Sequence, residues 1–176
     1  YGTQDFQERF TPDYIRAVCQ GLQGGLCPTV LDGITGGSAP ERQWATRTML
    51  ASLLPHEIRP TWPRGSDPAL VAKAFDILFD FGRHEKDCVY TAYWNSANPV
   101  APNDRNLLVS TYSRRGKLLC VCGSFTDDLN AVLSVKGKVD AAVNAETGEK
   151  LEVTANQVKF FLKKHDFIIV EIQLAK

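Results

Sequence analysis

The sequence lacks an excess of charge of either sign. Its 20 lysines and arginines are balanced by 20 aspartates and glutamates, so the formal net charge is zero. A protein that binds nucleic acid needs a basic face to neutralise phosphates, so we expect no nucleic acid partner. No apolar run approaches the roughly 20 residues of a membrane span, so we expect no membrane partner either.

The motifs that identify several common enzyme classes are also missing. GxSxG, HExxH, the P-loop and GxGxxG are absent, so serine hydrolase, zinc protease, nucleotide hydrolase and dinucleotide-binding interpretations have no support. The chain starts at Tyr1 without a methionine and shows no signal peptide. We therefore expect a processed chain or a piece of a longer one, with any localisation signal upstream.

The cysteines have no metal-binding spacing. There are five of them, an odd number, and none forms a CxxC pair. Cys120 and Cys122 share one face of a predicted strand, about 7 Å apart, which suits neither a disulfide nor a closed zinc site. We interpret the cysteines as small buried hydrophobic residues and predict no metal and no cofactor. The cysteines do not decide between an oxidising and a reducing compartment.

The second half of the chain has the pattern of short strands separated by turns. Residues 106–135 predict three strands joined by tight turns, a β-meander, in which Leu118–Cys122 is apolar on both faces like a central strand. More strands follow at roughly 8–12-residue spacing, which indicates an antiparallel sandwich. We expect its core to contain Val109, Leu119, Val121, Leu133, Phe160 and Ile169.

The first half has the pattern of three helices. The first begins after Thr11, the second has a capping box of Ser38 and Glu41, and the third is capped by Asp67 and ends at Gly82. The segment between the second and third helices is too rich in proline for regular structure.

The third helix carries an apolar face too broad to be left in water. We expect it to cover part of the sandwich or a neighbouring copy, which gives either a homodimer through the helix 67–82 or an exposed apolar patch. Trp62 and Trp94 flank this helix in sequence and are expected near the junction of the two halves.

The candidate catalytic residues are acidic or histidine side chains at the ends of predicted elements. Asp32 ends a predicted strand and opens into a glycine-rich loop, as catalytic residues do in a βα-barrel; alternatively it caps a turn. His56 and Glu57 lie in the proline-rich segment close to Trp62, where polar groups beside an aromatic ring suit a sugar site. A surface loop anchored by one tryptophan explains the same residues.

The candidate ligand-binding residues are aromatic: Trp62, Trp94 and Tyr90. Trp94 and Tyr90, with Tyr112, could offer an aromatic platform to a glycan, and buried core aromatics are the alternative explanation.

Four stretches of the chain resemble a known family. The series YW, LLVSTYSRRGKLLCVCGSF, NAETGEKL and KHDFIIVEI is similar to the C-terminal end of large glycoside-hydrolase-like proteins, in which a (β/α)8 barrel precedes a small antiparallel β-sandwich. The hairpin Asn144–Gly148 is the most specific of these stretches. The resemblance implies an α+β fold, with an N-terminal helical remnant of a βα-barrel (residues 1–86) followed by an antiparallel all-β sandwich (residues 87–176).

The same resemblance implies a function. It indicates a C-terminal, non-catalytic portion of a glycoside-hydrolase-like, carbohydrate-active protein, whose sandwich supports or flanks the barrel. Its partners would be a glycan and the upstream barrel of the same polypeptide, and its location would be extracellular or periplasmic. The alternative is a stand-alone carbohydrate-binding β-sandwich module. Glycoside hydrolysis needs two carboxylates across the scissile bond; no motif identifies such a pair, so we expect the chain by itself to be inactive.

Overall fold

A computed structural model describes residues 5–19 and 29–175. The helices are α1 (Pro12–Cys19), α2 (Ala39–Leu53) and α3 (Pro68–Asp80), with short 3-10 helices at Phe6–Glu8 and Leu54–His56. The strands are β1 (Thr29–Gly33), β2 (Arg59–Arg64), β3 (Val89–Thr91), β4 (Val100–Pro102), β5 (Leu107–Arg114), β6 (Lys117–Ser124), β7 (Leu129–Val135), β8 (Val139–Asn144), β9 (Glu152–Thr154), β10 (Gln157–Leu162) and β11 (Phe167–Leu174).

The predicted helix starts are confirmed. At α2, the backbone nitrogen and the hydroxyl of Ser38 both donate to Glu41 Oε2 at 2.7 Å. At α3, Asp67 Oδ1 accepts from the backbone nitrogens of Ala69 at 3.0 Å and Leu70 at 3.1 Å. These side chains satisfy backbone donors that have no partner inside the helix, which fixes where each helix begins.

The predicted α+β fold with an antiparallel sandwich is also confirmed. A five-stranded sheet has the order β3-β5-β6-β11-β8, and a four-stranded sheet has the order β4-β7-β10-β9. All pairings within these two sheets are antiparallel. A domain boundary between residues 86 and 87 stays a prediction.

The predicted β-meander is wrong in its third strand. β5 pairs with β6 as expected, but β7 crosses to the four-stranded sheet and pairs with β4 and β10. The place beside β6 is taken by β11. Burial explains the exchange: β6 and β11 are apolar on both faces, whereas β7 alternates buried and half-exposed residues. A strand with one apolar face suits a sheet that is covered on one side only.

The molecule has three layers, because the five-stranded sheet is covered on both faces. Towards the four-stranded sheet it buries side chains that include Leu118, Cys120, Cys122, Ile168 and Val170. Towards the helices it buries Leu119, Val121, Phe167 and Ile169, packed with Met49, Leu50, Leu53 and Leu78. Of the predicted sandwich core, Val109, Leu133 and the half-buried Phe160 lie between the sheets, but Leu119, Val121 and Ile169 face the helices. Alternate residues of one strand necessarily point to opposite faces.

The proline-rich segment after α2 is more regular than predicted. β2 runs from Arg59 to Arg64 and pairs in parallel with β1, with Val30 opposite Pro60. The prolines are tolerated because β2 has a neighbour on one side only within the described residues, so its other edge needs no hydrogen bonds. β1, α2 and β2 thus form a βαβ unit.

α3, the third helix, covers part of the five-stranded sheet, which is one of the two outcomes predicted for it. Ala74 and Leu78 of α3 are buried in the layer between the helices and the five-stranded sheet. Phe79 of α3 is 64% exposed. A homodimer through this helix stays a prediction.

α2 contacts the five-stranded sheet so closely that only glycine fits beneath it. A Cβ atom added to Gly123 of β6 would lie 1.9 Å from the carbonyl oxygen of Ala51 and 2.9 Å from its carbon. Both atoms belong to the α2 backbone, so no side-chain rotation could relieve the clash. The absent side chain at Gly123 therefore sets the depth at which α2 lies.

Arg47 of α2 binds the hairpin that carries the family resemblance. Its Nη1 and Nη2 donate to the two carboxylate oxygens of Glu146 at 3.2 Å each, and its Nε donates to Asp166. Nη2 also donates to the carbonyl oxygen of Phe167 at 2.9 Å, and the guanidinium lies 4.4 Å from the centre of that ring. We call these four residues the Arg47 clamp. Burial lowers the pKa of Arg47, but the contacts with Glu146 and Asp166 outweigh it, so the pKa is raised above its ordinary value.

We expect Gly123→Ala to destabilise the protein by about 1–3 kcal/mol, because α2 must shift to admit one methyl group. Urea unfolding measures the loss. Gly33→Ala is the matched control, since an added Cβ there has nothing within 4 Å among the described residues. Equal stability of the two variants would contradict the close approach of α2 to β6.

We expect Arg47→Met to cost about 2 kcal/mol, between the values for surface and buried ion pairs, because the clamp is only partly exposed. The control is Arg115→Met, whose arginine pairs with Asp87 but has a side chain that is 72% exposed. That variant should lose well under about 1 kcal/mol in the same urea titration. If Arg47→Met loses no more stability than Arg115→Met, the clamp does not hold α2.

Candidate functional site

Several predicted site residues meet where α2 ends. His56, Glu57, Tyr90 and Trp94 lie at or beside the turn Leu54–Glu57, together with Tyr93 and Tyr112, and we call these six residues the His56 cluster. Asp32 and Trp62 belong to β1 and β2, but their side chains lie outside what the structure describes. The structure therefore gives no separation between the carboxylates of Asp32 and Glu57.

His56 is fully buried and uses both ring nitrogens. Nδ1 lies 2.6 Å from the carbonyl oxygen of Ser52, which can only accept, so Nδ1 carries the proton. Nε2 therefore accepts from the Tyr93 hydroxyl at 3.0 Å. Burial, with a smaller contribution from the charge of Arg16, lowers the pKa of His56 to about 4. A neutral ring with no free nitrogen is suited to positioning its neighbours, and it has no site left for a proton from substrate.

Glu57 is held by the sandwich and by the segment after α3. Its backbone has a φ of 59°, in the left-handed region, where the chain turns away from α2. Its carboxylate accepts from the Tyr112 hydroxyl at 3.3 Å and lies 3.8 Å from Nε of Arg83. The carboxylate of Glu57 therefore lies at the junction of the two halves, between Tyr112 of the sandwich and Arg83 of the segment after α3.

The tyrosines of the cluster join the helical half to the sandwich. Tyr90 donates from its hydroxyl to the carbonyl oxygen of Pro55 at 2.8 Å, and its ring centre lies 5.1 Å from that of Tyr112. Tyr112 is 1% exposed, which leaves it no ring face for a ligand. Burial is the main cause that raises the pKa of both hydroxyls. Tyr112, one residue of the proposed aromatic platform, therefore belongs to the hydrophobic core.

Trp94 is the more exposed aromatic residue of the cluster. Its side chain is 38% exposed, its ring centre lies 4.7 Å from that of Tyr93, and the Arg16 guanidinium lies 4.7 Å from its centre. It lies at the junction of the two halves, as predicted, and faces α1.

A groove beside α1 was missed by sequence reasoning. A cavity of about 470 Å³ lies between α1 and the sandwich and is lined by residues that include Arg16, Tyr93, Arg105, Phe125 and His165. A second cavity, which shares Arg16 and Asp13 with the first, is lined by Trp94. We call the two together the α1 groove. Its residues come from separate segments, so no local sequence signal joins them.

His165 is a turn residue, and it also binds the N-terminal segment. Its φ is 54°, in the turn between β10 and β11. Its Nδ1 contacts the carboxylate of Asp5, which is 4% exposed. The amide of Gln7 donates to the His165 carbonyl oxygen at 3.3 Å. These contacts fix one wall of the α1 groove.

Metal and membrane sites are not seen in the described part of the chain. Residues 5–19 and 29–175 contain no group of three or more histidine, cysteine, aspartate or glutamate side chains that could hold a metal ion. Within the same residues, no helix is long and apolar enough to cross a membrane. Cys120 and Cys122 are free and buried between the sheets, and Cys88 is free and half-buried. Burial raises the pKa of Cys120 to about 12, so its thiol is inert.

Comparison with known proteins gives structural similarity to glycoside hydrolases, at low identity and over part of each chain. No family model matches the sequence, and no curated protein matches it. A GH27 β-L-arabinopyranosidase from Geobacillus stearothermophilus is 18% identical over 42% of this chain, with a TM-score of 0.36. An α-amylase from Anoxybacillus is 7% identical over 68%, with a TM-score of 0.43. An α-fucosidase from Thermotoga maritima is 11% identical over 74%, with a TM-score of 0.36.

This chain spans only part of those proteins: 18% of the arabinopyranosidase, 29% of the amylase and 34% of the fucosidase. With all three TM-scores below 0.5, the arguments about function below rest on the geometry of the chain itself.

We expect the stability of the protein to fall as the pH drops from about 6.5 to about 4. The pKa of His56 is near 4 in the folded state and about 6.5 in an unfolded chain, so in this window only the unfolded state takes up the proton. Above pH 6.5 this group adds no pH dependence. The loss amounts to about 3 kcal/mol at the acidic end.

The measurement is urea unfolding of the wild type and of His56→Gln at several pH values. The stability advantage of the wild type should shrink by about that amount between pH 7 and pH 4. His84→Gln is the control, because the His84 side chain is 50% exposed. An advantage that does not change with pH would contradict the buried neutral state of His56.

Proposed function

We propose that this chain is the C-terminal, non-catalytic portion of a glycoside-hydrolase-like protein, in which the sandwich supports a βα-barrel. The observation that carries the proposal is the parallel pair β1–β2, joined through α2 and followed by α3. Parallel strands with a helical crossover are the repeating unit of α/β barrels, and a parallel sheet is stable only when it is covered on both faces. Two such strands are too few to make that structure alone.

The position of the sandwich supports an accessory role. α2 packs against β6 and β11, where Ala51 covers Gly123 and the Arg47 clamp holds the hairpin. In a (β/α)8 barrel the helices form the outer ring, so a sandwich that binds α2 would lie outside the barrel. From there it would support the barrel without contributing to the inner surface where substrate reacts.

The contacts of the candidate catalytic residues also favour a non-catalytic portion. Both ring nitrogens of His56 are occupied, and the carboxylate of Glu57 is held by Tyr112 and Arg83. His56 therefore has no free ring nitrogen with which to act as an acid or base towards a ligand. The extracellular or periplasmic location belongs to the same proposal.

We expect the purified chain to hydrolyse no aryl glycoside, because the usual mechanism needs two carboxylates placed across one bond. Release of nitrophenol from a panel of α- and β-glycosides is the measurement. Asp32→Asn and Glu57→Gln are the matched variants. Turnover by the wild type that either variant abolishes would give those residues a catalytic role and overturn the proposal.

The coding sequence upstream of Tyr1 tests the barrel directly. We expect it to encode alternating strands and helices in the same reading frame, enough to complete a barrel of at least about 200 residues. A stop codon or a signal peptide directly before Tyr1 would instead favour the stand-alone binding module.

A further inference from the structure

We propose that the α1 groove binds an acidic saccharide, a sugar that carries a carboxylate on its ring. This site does not depend on the barrel, since it is formed by α1 and the sandwich alone. The main cavity, about 470 Å³, lies within the range of small-ligand sites, and the Trp94 cavity adjoins it.

Two arginines of the groove lack an acidic partner. Arg47, Arg83, Arg114 and Arg115 all form ion pairs, but Arg16 and Arg105 form none within 4.0 Å of a carboxylate among the described residues. The first turn of α1, which carries Asp13, also lines the cavity. The guanidinium fork matches a carboxylate, so the groove is built to accept one.

Arg16 is already held in place before a ligand arrives. Its guanidinium lies 4.7 Å from the centre of the Trp94 ring, and that ring packs edge-on against Tyr93. Tyr93 is in turn hydrogen-bonded to the buried His56. A side chain fixed in this way loses little freedom on binding, which favours affinity.

The rest of the lining selects a sugar over a simple anion. Asp13, which lines both cavities, can accept hydrogen bonds from the hydroxyl groups of a sugar. Tyr93 and Phe125 offer apolar ring surface to the CH groups of a pyranose. Donors, an acceptor and aromatic surface together match a ligand with hydroxyls, a carboxylate and an apolar face.

The test is calorimetric titration of the chain with a trimer of galacturonate, with its methyl ester as the neutral ligand of the same shape. We expect the acid to bind, and the ester and acetate each to bind at least tenfold more weakly. If the acid and the ester bind equally well, the groove does not recognise the carboxylate, and the proposal of an acidic saccharide is overturned. Equal binding of acetate would reduce the site to a simple anion site, and absence of binding by the trimer would overturn the proposal.

Arg16→Gln and Arg105→Gln should each weaken binding of the trimer at least tenfold. Arg115→Gln is the control, since Arg115 is outside the groove and its side chain is 72% exposed. Arg16 and Arg105 are both exposed, so we expect both variants to fold, and Arg105→Gln decides the question if Arg16→Gln does not. An equal loss in the control would indicate non-specific attraction and overturn the site. None of these results bears on the sequence upstream of Tyr1, so this proposal and the barrel proposal can fail independently.

Discussion

The five-stranded sheet can exist only if both of its faces are covered. β6 and β11 at its centre are apolar on both sides, so a single covering layer would leave one row of large side chains in water. The four-stranded sheet buries one row and the helices bury the other. The helical segment is therefore part of the core of the sandwich half, whatever lies upstream of it.

Two local features fix how the helical layer sits on the sheet. Gly123 lets the backbone of α2 come within contact of β6, and Arg47 binds the hairpin at Glu146 and the last turn at Asp166. The first sets the depth of the helix and the second limits its rotation, since a guanidinium bound by two carboxylates has little freedom. The hairpin that carries the family resemblance thus has a structural purpose here: its glutamate receives the crossover helix of a βαβ unit.

Local chemistry made the helix starts and most strands predictable from sequence. Ser38 with Glu41, and Asp67 before Pro68, satisfy backbone donors within a few residues, so their effect does not depend on the rest of the fold. Pairing partners were less predictable. β7 follows β6 after a short polar link, and only the one-sided burial of β7 decides that it joins the other sheet. The direction of Leu119 and Val121 was missed for the same reason, because alternation does not say which layer lies on which side.

The candidate site shows the same limit, since its residues are brought together by tertiary contacts. His56 was grouped with Trp62 because the two are close in sequence, and that grouping stays a prediction, since the Trp62 side chain lies outside what the structure describes. The described ring contacts of His56 are with Tyr93 and Trp94, which follow α3. Because His56 is buried and neutral, it fixes the Tyr93 hydroxyl, and the Tyr93 ring supports the Trp94 ring on which Arg16 lies. A residue that first suggested a catalytic base is thus connected through two rings to a surface arginine. The buried His56 thus contributes to the geometry of the α1 groove through the rings of Tyr93 and Trp94.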